Sequence, residues 1–281
     1  MKLNSTINGL IISAVLVSPF AIAATDQIAA EQATTEAAIR EQTHDADGEM
    51  SRQSDLKKYV AMMESGNPLS QKEAAQLLEW AGLSDPMLFD IVEKEVQKLH
   101  DKGRHLHKSD IDLMAWLIKA LSFSGEPKYV ATVEKIRNES QQPKVRKYAK
   151  IALPNFSQYE KWNPIINSKE HYNSEQSAEI NRFANMLRSE DFDLMRLAAK
   201  RVHYKHIYND YLLSILSSKV DAFADYDPKN GNEVDSVAWM TKALAGSREL
   251  KYKRSVEKMA ATAKHVKLQK YAHKYLNYYN K

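Results

Sequence analysis

Asp112-Leu-Met-Ala-Trp116-Leu-Ile-Lys119-Ala-Leu121 returns 123 positions later as Asp235-Ser-Val-Ala-Trp239-Met-Thr-Lys242-Ala-Leu244. The match runs on without a gap. Ser124, Glu126, Lys128, Tyr129, Val133, Glu134, Lys135, Lys144, Lys147, Tyr148, Ala149 and Leu153 all find the same residue at the same offset, which makes 18 identities over the 42 positions from 112 to 153. With one residue of slip the register extends upstream, where Leu56, Tyr59, Met62 and Met63 face Ile180, Phe183, Met186 and Leu187, and Ala74-Ala75 faces Ala198-Ala199. An internal repeat decides architecture before any single helix is named. The chain therefore reads as two copies of one unit, 53–153 and 177–281, joined by a Pro- and Asn-containing linker at 154–176.

Inside each unit the apolar residues recur at helical spacing. Met87, Leu88, Ile91, Val92, Val96 and Leu99 follow the three-four alternation of a one-sided helix, and Tyr211, Leu212, Ile215, Leu216 and Val220 repeat it. Breaks fall at Gly66-Asn67-Pro68, Ser84-Asp85-Pro86, Gly103, Gly125-Glu126-Pro127 and Gln142-Pro143, with proline where a helix's first turn tolerates it. Six helices per unit result. Only eight Gly and eight Pro in 281 residues leave too few turns for a β-sandwich or barrel. The segment Ile111 to Leu121 is apolar nearly all round and is expected between neighbouring helices, with Ser109 and Asp110 as N-cap candidates. Short repeated helices that each carry one apolar face bury it only by stacking.

Pro143-Lys-Val145-Arg146-Lys-Tyr-Ala149-Lys-Ile-Ala-Leu153 and Asp193-Leu-Met-Arg196-Leu-Ala-Ala199-Lys-Arg-Val202 resemble the first helix of HEAT-like repeats. In that family the Pro or Asp starts the helix, the Arg ties neighbouring repeats together and the Ala lets helices approach closely. The resemblance covers most of 53–281 and implies an all-α fold: a right-handed α-solenoid of HEAT-like hairpins in two tandem six-helix copies. It further implies a protein-binding scaffold, although some members form parts of enzymes.

The first 23 residues read as an export signal. Lys2 supplies the positive start, Gly9 to Val17 the short apolar core, and Ala21-Ile22-Ala23 the cleavage pattern, so processing is expected after Ala23. The apolar run is shorter than the about 20 residues a membrane-spanning helix needs. Residues 24–52 read as a flexible acidic leader of net charge −5, which leaves +8 on residues 53–281. Cysteine is absent, which excludes disulfides, thiolate metal sites and a Cys nucleophile and suits an oxidising periplasm.

Chemistry-bearing patterns are sparse. His203 and His206 share a helix face with Asp210 just beyond, a spacing open to a metal, but no third ligand is indicated and two surface histidines account for it. His100, His105 and His107 lie in a polar loop. The loop from Asp225 to Asp235 has calcium-type oxygens but fails the EF-hand register, so it reads as a turn with Asp235 capping the next helix. Nucleophile elbow, phosphate loop and zinc-protease motifs are all missing. No cofactor is expected, and an enzyme is the less favoured class.

The matched lysines remain. Lys119, Lys128 and Lys135 with Lys242, Lys251 and Lys258, and Tyr129 and Tyr252 near them, would line up as basic rows on a stacked array. Solvation of an outer face, together with remnants of a duplication, is the favoured explanation of such rows. The expected function is an exported scaffold that binds another protein of the cell envelope; the alternative is an envelope glycan- or peptidoglycan-binding protein or enzyme. Anionic glycan or lipid headgroups stay open as ligands, while export removes the protein from nucleic acid.

Overall fold

The computed structural model describes residues 49–280, so the export signal at 1–23 and most of the leader at 24–52 lie outside the described residues. Every regular element among those residues is helical. Helix α1 runs through 49–64, which takes residues 49–52 out of the expected leader. Then follow α2 Pro68–Leu77, α3 Pro86–Asp101, α4 Lys108–Phe123, α5 Val130–Glu139, α6 Pro143–Ala152 and α7 Asn155–Ile166. The remainder is α8 Ala178–Arg188, α9 Phe192–Tyr204, α10 Asp210–Ala224, α11 Gly231–Gly246, α12 Lys253–Thr262 and α13 Val266–Leu276. No helix among the described residues is long and apolar enough to cross a membrane.

Helix starts follow local chemistry. Asn67, Asp85, Ser177, Asp191 and Asn209 each accept a backbone N–H of the first turn through the side chain, and Pro68, Pro86 and Pro143 occupy first-turn positions. Two expected caps are corrected. Helix α4 begins at Lys108 behind His107, with Asp110 inside its first turn and paired with Lys102 at 3.2 Å, while Ser109 caps nothing. Helix α11 begins behind Asn230 rather than Asp235, because Asn230 accepts from the N–H groups of Asn232 and Glu233 while Glu233 folds back to the N–H of Lys229 at 2.8 Å. This is a capping box displaced by one residue, since Glu233 takes the N–H ahead of the N-cap, and it uses one acid of the loop.

The linker also differs from expectation. Twelve of its residues form α7 despite Pro164, which breaks the helical pattern in the sequence.

Packing proceeds in two layers. In the first half α2 lies on α4 and α4 on α6, with α3 and α5 behind them; in the second half α9 lies on α11 and α11 on α13, with α8, α10 and α12 behind. Helix α4 is buried by α2, α3, α6 and α7, as its apolar circumference requires.

Backbone detail recurs between the halves. Ser124 Oγ donates to the Leu121 carbonyl at 2.6 Å and receives the N–H of Glu126; Ser247 does the same with Leu244, at 2.7 Å, and Glu249. Among the described residues two non-glycine residues adopt positive φ, His206 at 53° and Arg248 at 61°, and their matched positions in the first half are Gly82 and Gly125, both at positive φ.

Helix α7 carries the chain back across the first half. Asn163 Nδ2 donates to the carbonyls of Phe123 at 3.0 Å and Ser124 at 2.9 Å, and Tyr159 Oη donates to the Glu79 carbonyl at 2.9 Å. The second half then starts beside the start of the first. Arg182 of α8 pairs with Asp55 of α1 at 2.6 Å, and the Arg201 guanidinium of α9 lies 3.9 Å from the centre of the Trp80 ring.

Candidate binding cleft

Where α7 crosses between the halves it leaves a cleft of ≈ 260 Å³. Its walls are Glu79 after α2, Lys119 and Phe123 of α4, Asn155, Gln158, Tyr159 and Trp162 of α7, and Asp193, Arg196, Leu197 and Lys200 of α9. Such a site between packed units is where ligand pockets tend to form.

Most polar groups of the cleft are already engaged. Trp162 Nε1 donates to Asp191 at 2.9 Å, and Arg196 pairs with Asp193 and, at 3.4 Å, with Asp235. Glu79 differs. Its carboxyl meets no hydrogen-bond donor or ion-pair partner among the described residues, and burial pushes its pKa above the ordinary carboxylate value against the opposing pull of Lys119 and Arg201.

Cations on the cleft side are held over aromatic faces. The Lys119 ammonium stands 4.2 Å from the Trp116 ring centre; Lys242 and Lys200 stand 4.4 and 5.0 Å from that of Trp239. Each such contact contributes about 0.5–1 kcal/mol at an exposed site, enough to fix an ammonium's place without neutralising it. None of the three has a carboxylate within ion-pair distance among the described residues. The uncompensated charge is felt nearby: the His203 pKa is held down by burial first and then by Lys242 and His206. His203 stacks on Tyr278 with ring centroids 6.5 Å apart, and Tyr278, Tyr275 and Tyr271 continue the stack.

The structure divides the eight expected binding residues between the layers. Lys119 lines the cleft, and Lys242 lies outside its lining but shares the Trp239 ring with Lys200, which lines it. Lys128 pairs with Asp90 at 2.6 Å and Lys251 with Asp210, while Lys258 reaches Asp225 at 3.0 Å and the Asp221 carbonyl at 2.9 Å. Lys135 lies beside His100 and Asp101 in a hollow between α3 and α5. Tyr129 and Tyr252, at 0% and 9% exposure, are corrected from surface contacts to core residues whose hydroxyls donate to Asp90 and Asp210, each at 2.7 Å. The Lys128 and Lys251 ammoniums first, and then these hydroxyls, hold the two aspartates below the usual carboxylate range.

Asp90 and Asp210 do not occupy matched positions. Each acid nonetheless meets the matched Lys-Tyr pair.

No group of three or more His, Asp or Glu among the described residues is placed to hold a metal ion. His203 is taken up by aromatic stacking and His206 by the turn after α9. In the loop before α11, Glu233 is held by Lys229, Tyr226 and Asn230, which leaves its pKa lowered.

Glu79 and Lys200 are the charged cleft residues that the lysine matching does not signal, beside the α7 residues Asn155, Gln158, Tyr159 and Trp162. They meet through the course of α7, not through any local pattern.

No protein-family model matches the chain, and no curated protein matches it. Among solved structures it is similar to human deoxyhypusine hydroxylase in complex with glycerol, at 12% identity, over 87% of this chain and 98% of that one, with a TM-score of 0.29. So loose a likeness adds no functional argument, and what stands is an all-helical chain with an unpaired-cation cleft between its halves.

Proposed function

We propose that the protein is an exported, HEAT-like α-solenoid of two duplicated six-helix copies that binds an extended acidic segment of another envelope protein. Its copies join through their first hairpins. The recurring serine turns, and positive φ at matched Gly82/His206 and Gly125/Arg248, support the duplication. The binding reading rests on one contrast. Lysines 128, 251 and 258 are ion-paired, whereas Lys119 and Lys200 in the cleft, and Lys242 beside Lys200 on the Trp239 ring, are positioned by tryptophan and paired with nothing described. The same contacts favour a charged ligand over a neutral glycan, since an ammonium already sits over each tryptophan that a sugar ring would stack on.

Two measurements test this. Calorimetric titration with a capped dodecamer of glutamate is expected to show binding that weakens as salt is raised. Alanine at Lys119, Lys200 and Lys242 together is expected to weaken it by about tenfold, three exposed pairs at roughly 0.2–1 kcal/mol each. Lys128→Ala and Lys251→Ala should leave the affinity unchanged; if they weaken it equally, the assignment to the cleft side fails. For the export signal, N-terminal sequencing of the protein from the periplasm of a producing bacterium is expected to begin at Ala24. A sequence beginning at Met1 would contradict cleavage.

A further inference from the structure

The cleft's polar groups separate into spent and unspent. Asp193 is tied to Arg196, the Trp162 N–H to Asp191 and the Tyr159 hydroxyl to the Glu79 backbone carbonyl. What remains charged is one carboxyl, Glu79, and two ammoniums, Lys119 and Lys200, opening with the neutral Gln158 amide into one ≈ 260 Å³ space. A wholly acidic ligand would satisfy the lysines and leave Glu79 half-buried against like charge. A wholly basic one would do the reverse. Buried polar groups left without partners cost about 1–3 kcal/mol, and more when charged, so the complement that leaves no orphan has both signs.

We infer that the segment entering this cleft is of mixed charge, a lysine flanked by acids, with its ammonium on the Glu79 carboxylate and its acids on Lys119 and Lys200. This deepens the acidic-segment reading and rests on it. The groups facing Glu79 are Lys119 from α4, Arg201 from α9 and the Tyr159 hydroxyl from α7. Neither cation forms an ion pair with it, which leaves the carboxyl open to the ligand. Because burial raises the pKa of Glu79 in the empty cleft and an ammonium partner would lower it, uptake within the carboxylate titration range should release protons.

The test uses the protein as produced with its own N-terminal segment and two capped nonapeptides of glutamate and glycine, one with a central lysine and the other with acetyl-lysine there. The lysine peptide is expected to bind at least about fivefold more tightly although its net charge is one unit less negative, since a charged group left unpaired costs more than about 1 kcal/mol. Glu79→Gln should abolish that preference and the proton release while leaving acetyl-lysine peptide binding in place. Glu79→Asp, a smaller change should Gln unfold the protein, should lose part of the preference. Equal or tighter binding of the acetyl-lysine peptide, or a preference that survives Glu79→Gln, overturns the mixed-charge assignment and leaves the acidic-segment reading standing. If neither peptide binds, the acidic-segment reading falls, and this inference with it.

Discussion

Replacing Gly125 by alanine is expected to destabilise the protein by about 3 kcal/mol, with urea denaturation as the measurement. Two costs combine there. Gly125 has φ of 71°, where an L-residue pays roughly 1–2 kcal/mol. In addition, a β-carbon at this position would stand 2.5 Å from the Glu160 backbone nitrogen and 2.8 Å from the Tyr159 carbonyl carbon, so α7 itself would have to move. Overpacking against backbone typically costs about 1–3 kcal/mol. Gly66 is the control. Its φ is 66° but nothing lies within 4 Å of a built β-carbon, so Gly66→Ala should cost only the conformational part, about 1 kcal/mol. Equal losses at the two sites would show that α7 does not press on this turn. The second half supplies a converse: Arg248 holds the matched position at φ 61°, and Arg248→Gly should leave stability unchanged or raise it by up to about 1 kcal/mol.

Asp55→Ala is expected to cost about 3 kcal/mol, again by urea denaturation. The Arg182 side chain is only 11% exposed and pairs with Asp55 at 2.6 Å across the meeting of α1 and α8. Its Nε already lacks a hydrogen-bond acceptor. Losing the aspartate would leave a buried guanidinium uncompensated, and that penalty dominates over the modest net worth of the pair. Asp55→Ala combined with Arg182→Met should recover most of the loss, because the orphaned charge is then gone. A single-variant loss below about 0.5 kcal/mol would place this pair among ordinary surface contacts.

The helices were legible because their signals are local. Apolar spacing, first-turn prolines and Asn or Asp caps announced α2, α3, α6 and α10, and the repeat made Lys72–Asp112 and Arg196–Asp235 recur. Helix α7 was not legible, since Pro164 and its asparagines look like linker residues. Their use is tertiary: Asn163 and Asn167 satisfy the carbonyls at the ends of neighbouring elements. The lysine rows were half legible. Sequence matching finds which lysines recur, but the acids that neutralise Lys128 and Lys251 sit at unmatched positions, so which cations stay unpaired emerges only in three dimensions. Glu79 and Lys200 were hidden for the same reason.

The crossing of α1 and α8 has a consequence for assembly. Asp55 meets Arg182, while Glu179, the sequence match of Asp55, lies close enough to Tyr59 to act on its hydroxyl. Earlier positions on one helix thus face later positions on the other, as they do across the twofold axis of a homodimer. On the duplication proposed above, this chain is a dimer made covalent. Residues 177–281 produced alone would expose that face and are expected to pair with themselves, which sedimentation would register as twice the half-chain mass. The intact chain has already filled the face from within, and so has no such reason to find a second copy of itself.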